Sequence, residues 1–262
     1  MPAPRASRSD FVQSLERGLA VIRAFDAEHR DLRLSDVAAS TGLTRAAARR
    51  FLLTLVELGY VRLEDGRFSL RPRVLDLGYA YLSSLSFAEI AQPHMEALVH
   101  ELNESSSVSV LDDTDIVYVV RVPTRRIMTI TLAVGTRLPA FVTSMGRVLL
   151  AALPPEQLEE RLAEIELHKY TQHTITSKQA LREELQKVAH DGYAMVDQEL
   201  EEGLRSIAVP IRDAAGSVAA LNVSVHASRT DMRSLRKRFV PRVLAAAAAI
   251  ENDIRGAGGS VG

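Results

Sequence analysis

The sequence predicts an α+β protein in two parts, a small unit of three helices and a hairpin ahead of a larger domain on a mainly antiparallel sheet. Three observations predict it. Residues 34–70, LSDVAASTGLTRAAARRFLLTLVELGYVRLEDGRFSL, carry two capped helices and a hairpin in close succession. Charge is unevenly spread: residues 1–73 hold thirteen arginines, no lysine and nine acids, a net of +4, against −5 for residues 74–262. From Ser107 onward the apolar period changes from helical to alternating.

The first helix is expected over Val12 to Phe25, where Leu15, Leu19, Ile22 and Phe25 recur at helical spacing and would pack under the next two helices. Ser35 is the expected cap of a short second helix, and Thr41-Gly42-Leu43 the turn after it. Thr44 caps a third helix that runs to about Leu58, where Gly59 stops it. Tyr60 to Leu63 and Arg67 to Leu70 alternate as strands around Glu64-Asp65-Gly66. This order is that of a winged helix-turn-helix. Arg45, Arg49 and Arg50 stand near the start of the third helix, away from its apolar Phe51, Leu52, Leu55 and Leu58. A guanidinium's planar fork suits guanine and phosphate, so these side chains would face double-stranded DNA with the helix in a major groove. Arg45 and Arg49 are the candidates for base or phosphate contact, Arg50 for the backbone, and Thr44 and Ser35 for donation to phosphates. Arg62 or Arg67 would reach from the wing. An ordinary helix pair with solvated arginines shares some of these features, but not their order within about forty residues.

The expected domains are 10–72 for DNA binding, 73–86 for a linker helix and 87–255 for the larger domain. In the linker, Val74, Leu75, Leu77, Tyr81, Leu82 and Leu85 are apolar around more than one face, which fits either packing inside one subunit or a dimer contact. Phe87 to Leu102 reads as a helix kinked or restarted at Pro93. SVSVLDD, IVYVVRV and IMTITLAV (127–134) read as three strands. Ser144 to Leu153, Pro155 to Ile165 and Lys178 to Asp191 read as helices. Tyr193 to Val196, Arg205 to Ile211 and Ala219 to His226 complete the strands, and Met232 to Arg255 closes the chain as a helix.

Composition excludes several classes. With 47% hydrophobic residues there is material for a full core, and with no cysteine there are no disulfides, thiolate nucleophiles or cysteine metal sites. No apolar run approaches a membrane span, and MPAPRASRSD lacks the core of a signal peptide, so a cytoplasmic location is expected. That start reads as a disordered arm whose Arg5 and Arg8 could touch phosphates, and GAGGSVG as a disordered tail. His168 and His173 have no third ligand at a recognisable spacing. There is no GxSxG elbow, no glycine-rich phosphate loop, and no calcium-loop spacing around Asp112, Asp113 and Asp115. The sequence therefore implies neither an enzyme nor a cofactor. An enzyme whose helix-turn-helix serves protein contacts is the alternative from another class, and the +4 amino-terminal charge argues against it.

Beyond the helix-turn-helix, the whole of about 10–255 resembles the IclR family of bacterial transcriptional regulators. The resemblance rests on SLERGLAVIRAF, LSDVAASTGLTRAAARRFLLTLVELGYV and RVLDLGYAYLSS, then VGTRLPAFVTSMGRVLLAALP, GYAMVDQELEEGLRSIAVPI and AALNVSVHAS. TSMGRVLLA and GLRSIAVPI are most similar to the branch of PcaU, PcaR and PobR, which regulates aromatic-acid breakdown through the β-ketoadipate pathway. Protocatechuate, 4-hydroxybenzoate or β-ketoadipate are that branch's effectors; another member sensing a different small acid is the alternative within the family. The resemblance implies a GAF-like effector domain and a homodimer, often paired into a tetramer. It also implies a pocket between the sheet and the VTSMGR segment, with Thr143, Ser144 and Met145 from the loop and helix, Asp197 and Glu199 from the acidic segment, Ser206 after GLR, and Asn222 and Ser224 from the last strand. Ser206 stands where many members have cysteine, which argues against a pocket tuned to glyoxylate or pyruvate.

The residues themselves bear on that pocket. Asn222 and Ser224 lie two apart on an expected strand and so share a face. Buried polar groups need partners, which a ligand, the backbone or water could equally supply; the resemblance favours the ligand. Ser144-Met145-Gly146 opens a helix, whose free N–H groups favour an anion. Arg137 and Arg147 are candidate partners for a ligand carboxylate, or solvated surface residues.

Overall fold

A computed structural model describes residues 11–26, 28–78, 86–124, 132–213, 216 and 218–257. Its chain divides into two compact units, 1–82 and 83–262. The arm expected at 1–10, 79–85 of the linker and 258–262 of the expected disordered tail lie outside the described residues; the tail's first two residues, Gly256 and Ala257, are helical instead.

In the first unit, α1 (Gln13–Arg23), α2 (Leu34–Thr41) and α3 (Arg45–Glu57) precede a hairpin of β2 (Val61–Glu64) and β3 (Arg67–Leu70). Its core joins Val21 and Phe25 to Val37, Ala48, Leu52, Leu55, Val61 and Phe68. Leu15 and Leu19 do not share it. They are 63% and 48% exposed, because α1 meets the core only through its C-terminal half. Thr44 caps α3 as expected, its hydroxyl oxygen accepting the Ala47 N–H at 3.2 Å. Ser35 does not cap α2. A three-residue strand the sequence did not reveal, β1 (Asp31–Arg33), pairs with β3 and runs straight into α2, so the helix begins two residues earlier than a Ser35 cap would start it. Arg33 is therefore the cap position, and its N–H donates to the Asp36 carboxylate at 2.9 Å. The hairpin turn is Asp65-Gly66 with φ of +49° and +74°, the type I′ pattern that suits a two-residue loop.

After the hairpin comes a 3₁₀ turn, Pro72–Leu75, followed by α-helix at 76–78, so the linker helix expected from 73 opens as a tighter turn. Pro72 at its start fixes φ and removes an N–H.

The second unit holds a six-stranded sheet in which every pairing among the described residues is antiparallel. Its strands are β4 (Ser105–Asp112), β5 (Asp115–Val122), β6 (Arg137–Pro139), β7 (Ala194–Asp197), β8 (Leu204–Arg212) and β9 (Val218–His226), in the order β6-β5-β4-β9-β8-β7. The strand expected over 127–134 falls mostly outside the described residues. Its end at 132–134 is loop and turn, and among the described residues β6 is the edge strand beside β5.

Each strand sends alternate residues to two different cores. On one face Val108, Ile207, Val209, Leu221, Val223 and Val225 pack against α4 (Ser86–Leu102), which carries Pro93 internally, and α8 (Val240–Ala257). The long closing helix is interrupted: Met232–Ser234 is followed by a π-helical stretch, Leu235–Phe239, before α8 begins. On the other face Tyr118, Ala208 and Ala220 meet α5 (Ser144–Ala151), α6 (Pro155–Glu164) and α7 (Lys178–Asp191).

The β4–β5 register slips between Val108 and Ser109. Val108 faces Val120 but Ser109 faces Tyr118, which leaves Val119 as an extra residue in β5.

Candidate functional sites in the two units

Arg45, Arg49 and Arg50 are exposed on α3; Arg45 lies a turn ahead of the buried stripe of Ala48, Leu52 and Leu55, Arg49 flanks it and Arg50 lies on the far side. None of the three pairs with a carboxylate among the described residues. Thr44 and Ser35 are exposed as well. The wing arginines are differently placed. Arg62 donates from Nε to Ser69 Oγ at 2.8 Å and lies 3.6 Å from Glu64, while Arg67 donates to the Asp31 carbonyl at 3.2 Å. Both stay exposed, and pairs this open are worth little, so neither is locked in place. Arg73, which the sequence did not single out, lies over the Tyr60 ring at 5.4 Å and donates to the Leu58 carbonyl beyond the end of α3.

In the second unit a cavity of about 570 Å³, its mouth included, opens between the sheet and α5. Thr143, Ser144, Met145, Ser206, Asn222 and Ser224 line it. Apolar walls come from Leu132, Leu138, Val142, Val196, Leu200 and Leu204. Three further lining groups escaped sequence reasoning: Ser105, Tyr118 and Arg121.

α5 begins at the cavity because the chain is pinched there. A Cβ on Gly146 would sit 2.1 Å from the Ala140 carbonyl oxygen, so only glycine lets the helix approach the 3₁₀ turn Ala140–Val142. Thr143 caps the helix, accepting the Gly146 N–H at 3.0 Å. Helix geometry leaves the Ser144 and Met145 N–H groups without intrahelical partners. The Ser144 hydroxyl is buried and has no hydrogen-bond partner among the described residues.

On the sheet side, Asn222 Oδ1 accepts the Ser107 N–H at 3.0 Å and Asn222 Nδ2 donates to Ser224 Oγ at 3.2 Å. Part of this asparagine is thus satisfied by the fold itself. Tyr118 is buried, and that burial pushes its phenol up to about 12, against the opposing pull of Arg121. No hydrogen bond engages its hydroxyl among the described residues. Desolvation lowers the pKa of the Arg121 guanidinium, and one of its nitrogens donates to Ser107 Oγ at 3.3 Å.

Two expected effector residues do not line the cavity, because arginines already hold their carboxylates. Asp197 accepts from Arg205 Nε at 2.6 Å. Glu199 is buried, accepting from Arg147 Nη2 at 2.6 Å and from the Ile175 N–H at 3.1 Å. Arg147, 1% exposed, also donates to the Phe141 carbonyl. It is a buried strut that ties α5 to the β7–β8 loop, neither surface residue nor ligand partner. Arg137 pairs with Asp112 and Asp115 at the sheet edge, and the hydrogen bond to Asp112 leads in raising its pKa.

Among the described residues no cluster of His, Cys, Asp or Glu could hold a metal, and no helix is long and apolar enough to cross a membrane.

A helix-turn-helix with exposed arginines on one unit and a cavity beside the sheet of the other are the parts of a transcriptional regulator. Residues 14–65 match the IclR helix-turn-helix domain, and residues 79–252 match the bacterial transcriptional regulator IclR C-terminal domain. The chain belongs to the IclR family of bacterial transcriptional regulators, which are not enzymes. It is 46% identical over 239 residues to the Pca regulon regulatory protein of Pseudomonas putida, covering 90% of this chain and 82% of that one. It is 35% identical to the p-hydroxybenzoate hydroxylase transcriptional activator of Acinetobacter baylyi, covering 88% of each. An IclR homolog from Microbacterium hydrocarbonoxydans, crystallised with 4-hydroxybenzoate, superposes with a TM-score of 0.82 at 27% identity, over 93% of this chain and 99% of that one.

Proposed function

We propose that this regulator controls the breakdown of aromatic acids through the β-ketoadipate pathway, with protocatechuate, 4-hydroxybenzoate or β-ketoadipate as its effector. The observation that carries this reading is the cavity: it joins apolar walls to the polar Ser206, Asn222 and Ser224 and to the start of α5. The names of the Pseudomonas and Acinetobacter relatives, and the acid bound by the Microbacterium homolog, support it.

In this reading α3 enters a major groove, with Arg45 and Arg49 at bases or phosphates and Arg50 at the backbone. Thr44 and Ser35 donate to phosphates, and Arg62 or Arg67 reaches from the wing. The protein acts as a homodimer that can pair into a tetramer, since an inverted repeat needs two readers. Exposed Phe11, Val12, Leu15 and Leu19 on and before α1, and Leu75 and Leu77 in the linker, supply apolar surface for such a contact. The effector acts by preferring one arrangement of the two DNA-binding units, since equal affinity for both would shift nothing. The linker, 73–86, carries that preference by hinging near Pro72.

The test is calorimetric titration of the three acids into pure protein, with Asn222→Ala alongside and each acid repeated in an operator mobility shift. Micromolar binding of one acid, weakened in the variant and changing operator affinity, is the expected result. Silence toward all three would move the effector to another chemical class.

A further inference from the structure

We infer that Arg121 is the group that receives the carboxylate of the effector, and that the bulge in β5 is what places it there. The inference rests on the cavity being the effector site. In a regular strand, residues three apart point to opposite faces, so Tyr118 and Arg121 would be separated by the sheet. The extra residue, Val119, cancels that. Tyr118 faces Ser109 and Arg121 faces Ser107, two positions apart on β4, and both side chains line the cavity.

The surroundings of Arg121 differ from those of the paired arginines in the same unit. Arg137, Arg147, Arg161, Arg182, Arg205, Arg229, Arg242 and Arg255 each have a carboxylate within 4.0 Å. Arg121 has none among the described residues; its hydrogen-bond partner there is the neutral Ser107 Oγ. It is half-buried, and the loss of water already depresses its pKa. A guanidinium offers five donors in a planar fork, of which Ser107 uses one. A half-desolvated cation without a counter-ion costs free energy that an incoming carboxylate offsets through two parallel charge-assisted hydrogen bonds. Leu138, Val142 and Met145 line the same cavity and would cover the ring or chain that carries the carboxylate.

The ligand class is therefore a small organic acid recognised through its carboxylate, and the experiment changes that group alone. Calorimetry on the full-length wild type compares 4-hydroxybenzoate, protocatechuate and β-ketoadipate, and then the acid that binds against its carboxamide. The amide is expected to bind about 10- to 100-fold more weakly, the span for hydrogen bonds to charged groups. Arg121→Gln is expected to lose the same factor for the acid and nothing for the amide, while Arg121→Lys keeps part of the acid's advantage. If Arg121→Gln binds the acid as the wild type does, the assignment fails and the effector reading stands. If the wild type binds none of the acids, both fail together. Should Arg121→Gln not fold, as judged by its thermal melt, the acid–amide comparison on wild type and Arg121→Lys still decides. Equal binding of acid and amide overturns the proposal.

Discussion

Arginine does opposite work in the two units. On α3 it is exposed and without a carboxylate, as at Arg45, Arg49 and Arg50. In the second unit it is typically matched, from the surface pair Arg182–Glu159 to the buried pair Arg147–Glu199. The difference teaches that a guanidinium's role is set by what already neutralises it. A matched arginine holds the protein together. An unmatched one is available to something outside the chain, DNA phosphates and bases on α3 or a small acid at Arg121.

The largest expected effect tests the matched side. Arg147→Ala leaves Glu199 buried without its partner and should cost about 3–5 kcal/mol in urea unfolding followed by circular dichroism. A loss below 1 kcal/mol would mean the pair behaves like a surface pair and the contrast is false. Next comes the unmatched side. Arg49→Ala should leave the melting temperature unchanged and weaken operator binding by about 1–3 kcal/mol in a mobility-shift titration, if it reads a base. An effect on stability without one on binding would invert the comparison. Thr44→Ala sharpens it by separating the scaffold of α3 from its reading groups. Losing the cap should cost about 1 kcal/mol of stability, whatever becomes of DNA affinity. The last test concerns pH. With the Tyr118 phenol near 12 in the folded chain and about 10 when unfolded, its share of stability is full below the unfolded value. That share fades as pH climbs from there through the folded one. An ultraviolet titration should show one tyrosine ionising well after the others, and its absence would mean the phenol is wetter than its burial implies.

What could be read from the sequence divides along the same line. The helix-turn-helix was legible because its signals are local: the Thr44 cap, the Asp65-Gly66 turn and the apolar stripe of α3 each lie within a few residues. Ser35 was misplaced because β1, three residues long, has no period to detect. The cavity's loop and strand residues followed from family resemblance, but Asp197 and Glu199 did not reach it. Glu199's partner is 52 residues away, and no spacing announces such a pair. Arg205, eight residues from Asp197, is close only because β7 and β8 fold back on each other. Arg121 was invisible for a different reason. Reading a strand by twos assigns it to the wrong face, and only the register slip shows otherwise. The π-helical stretch at Leu235–Phe239 likewise has no signature in a pattern read at 3.6 residues per turn.

Because Val119 is supernumerary in β5, chain length there is a variable in its own right. Deleting Val119 would leave Tyr118 and Arg121 two apart and both still inward, whereas deleting Val117 would reverse the orientation of Ile116 and everything before it relative to Tyr118. Loss of the one extra residue at the bulge therefore removes a buried side chain but keeps Tyr118 and Arg121 on one face, and the same loss two positions earlier does not preserve facing. Homologues compared without a gap at this point would set Arg121 against an outward-facing residue and hide a shared anion site behind an apparent difference.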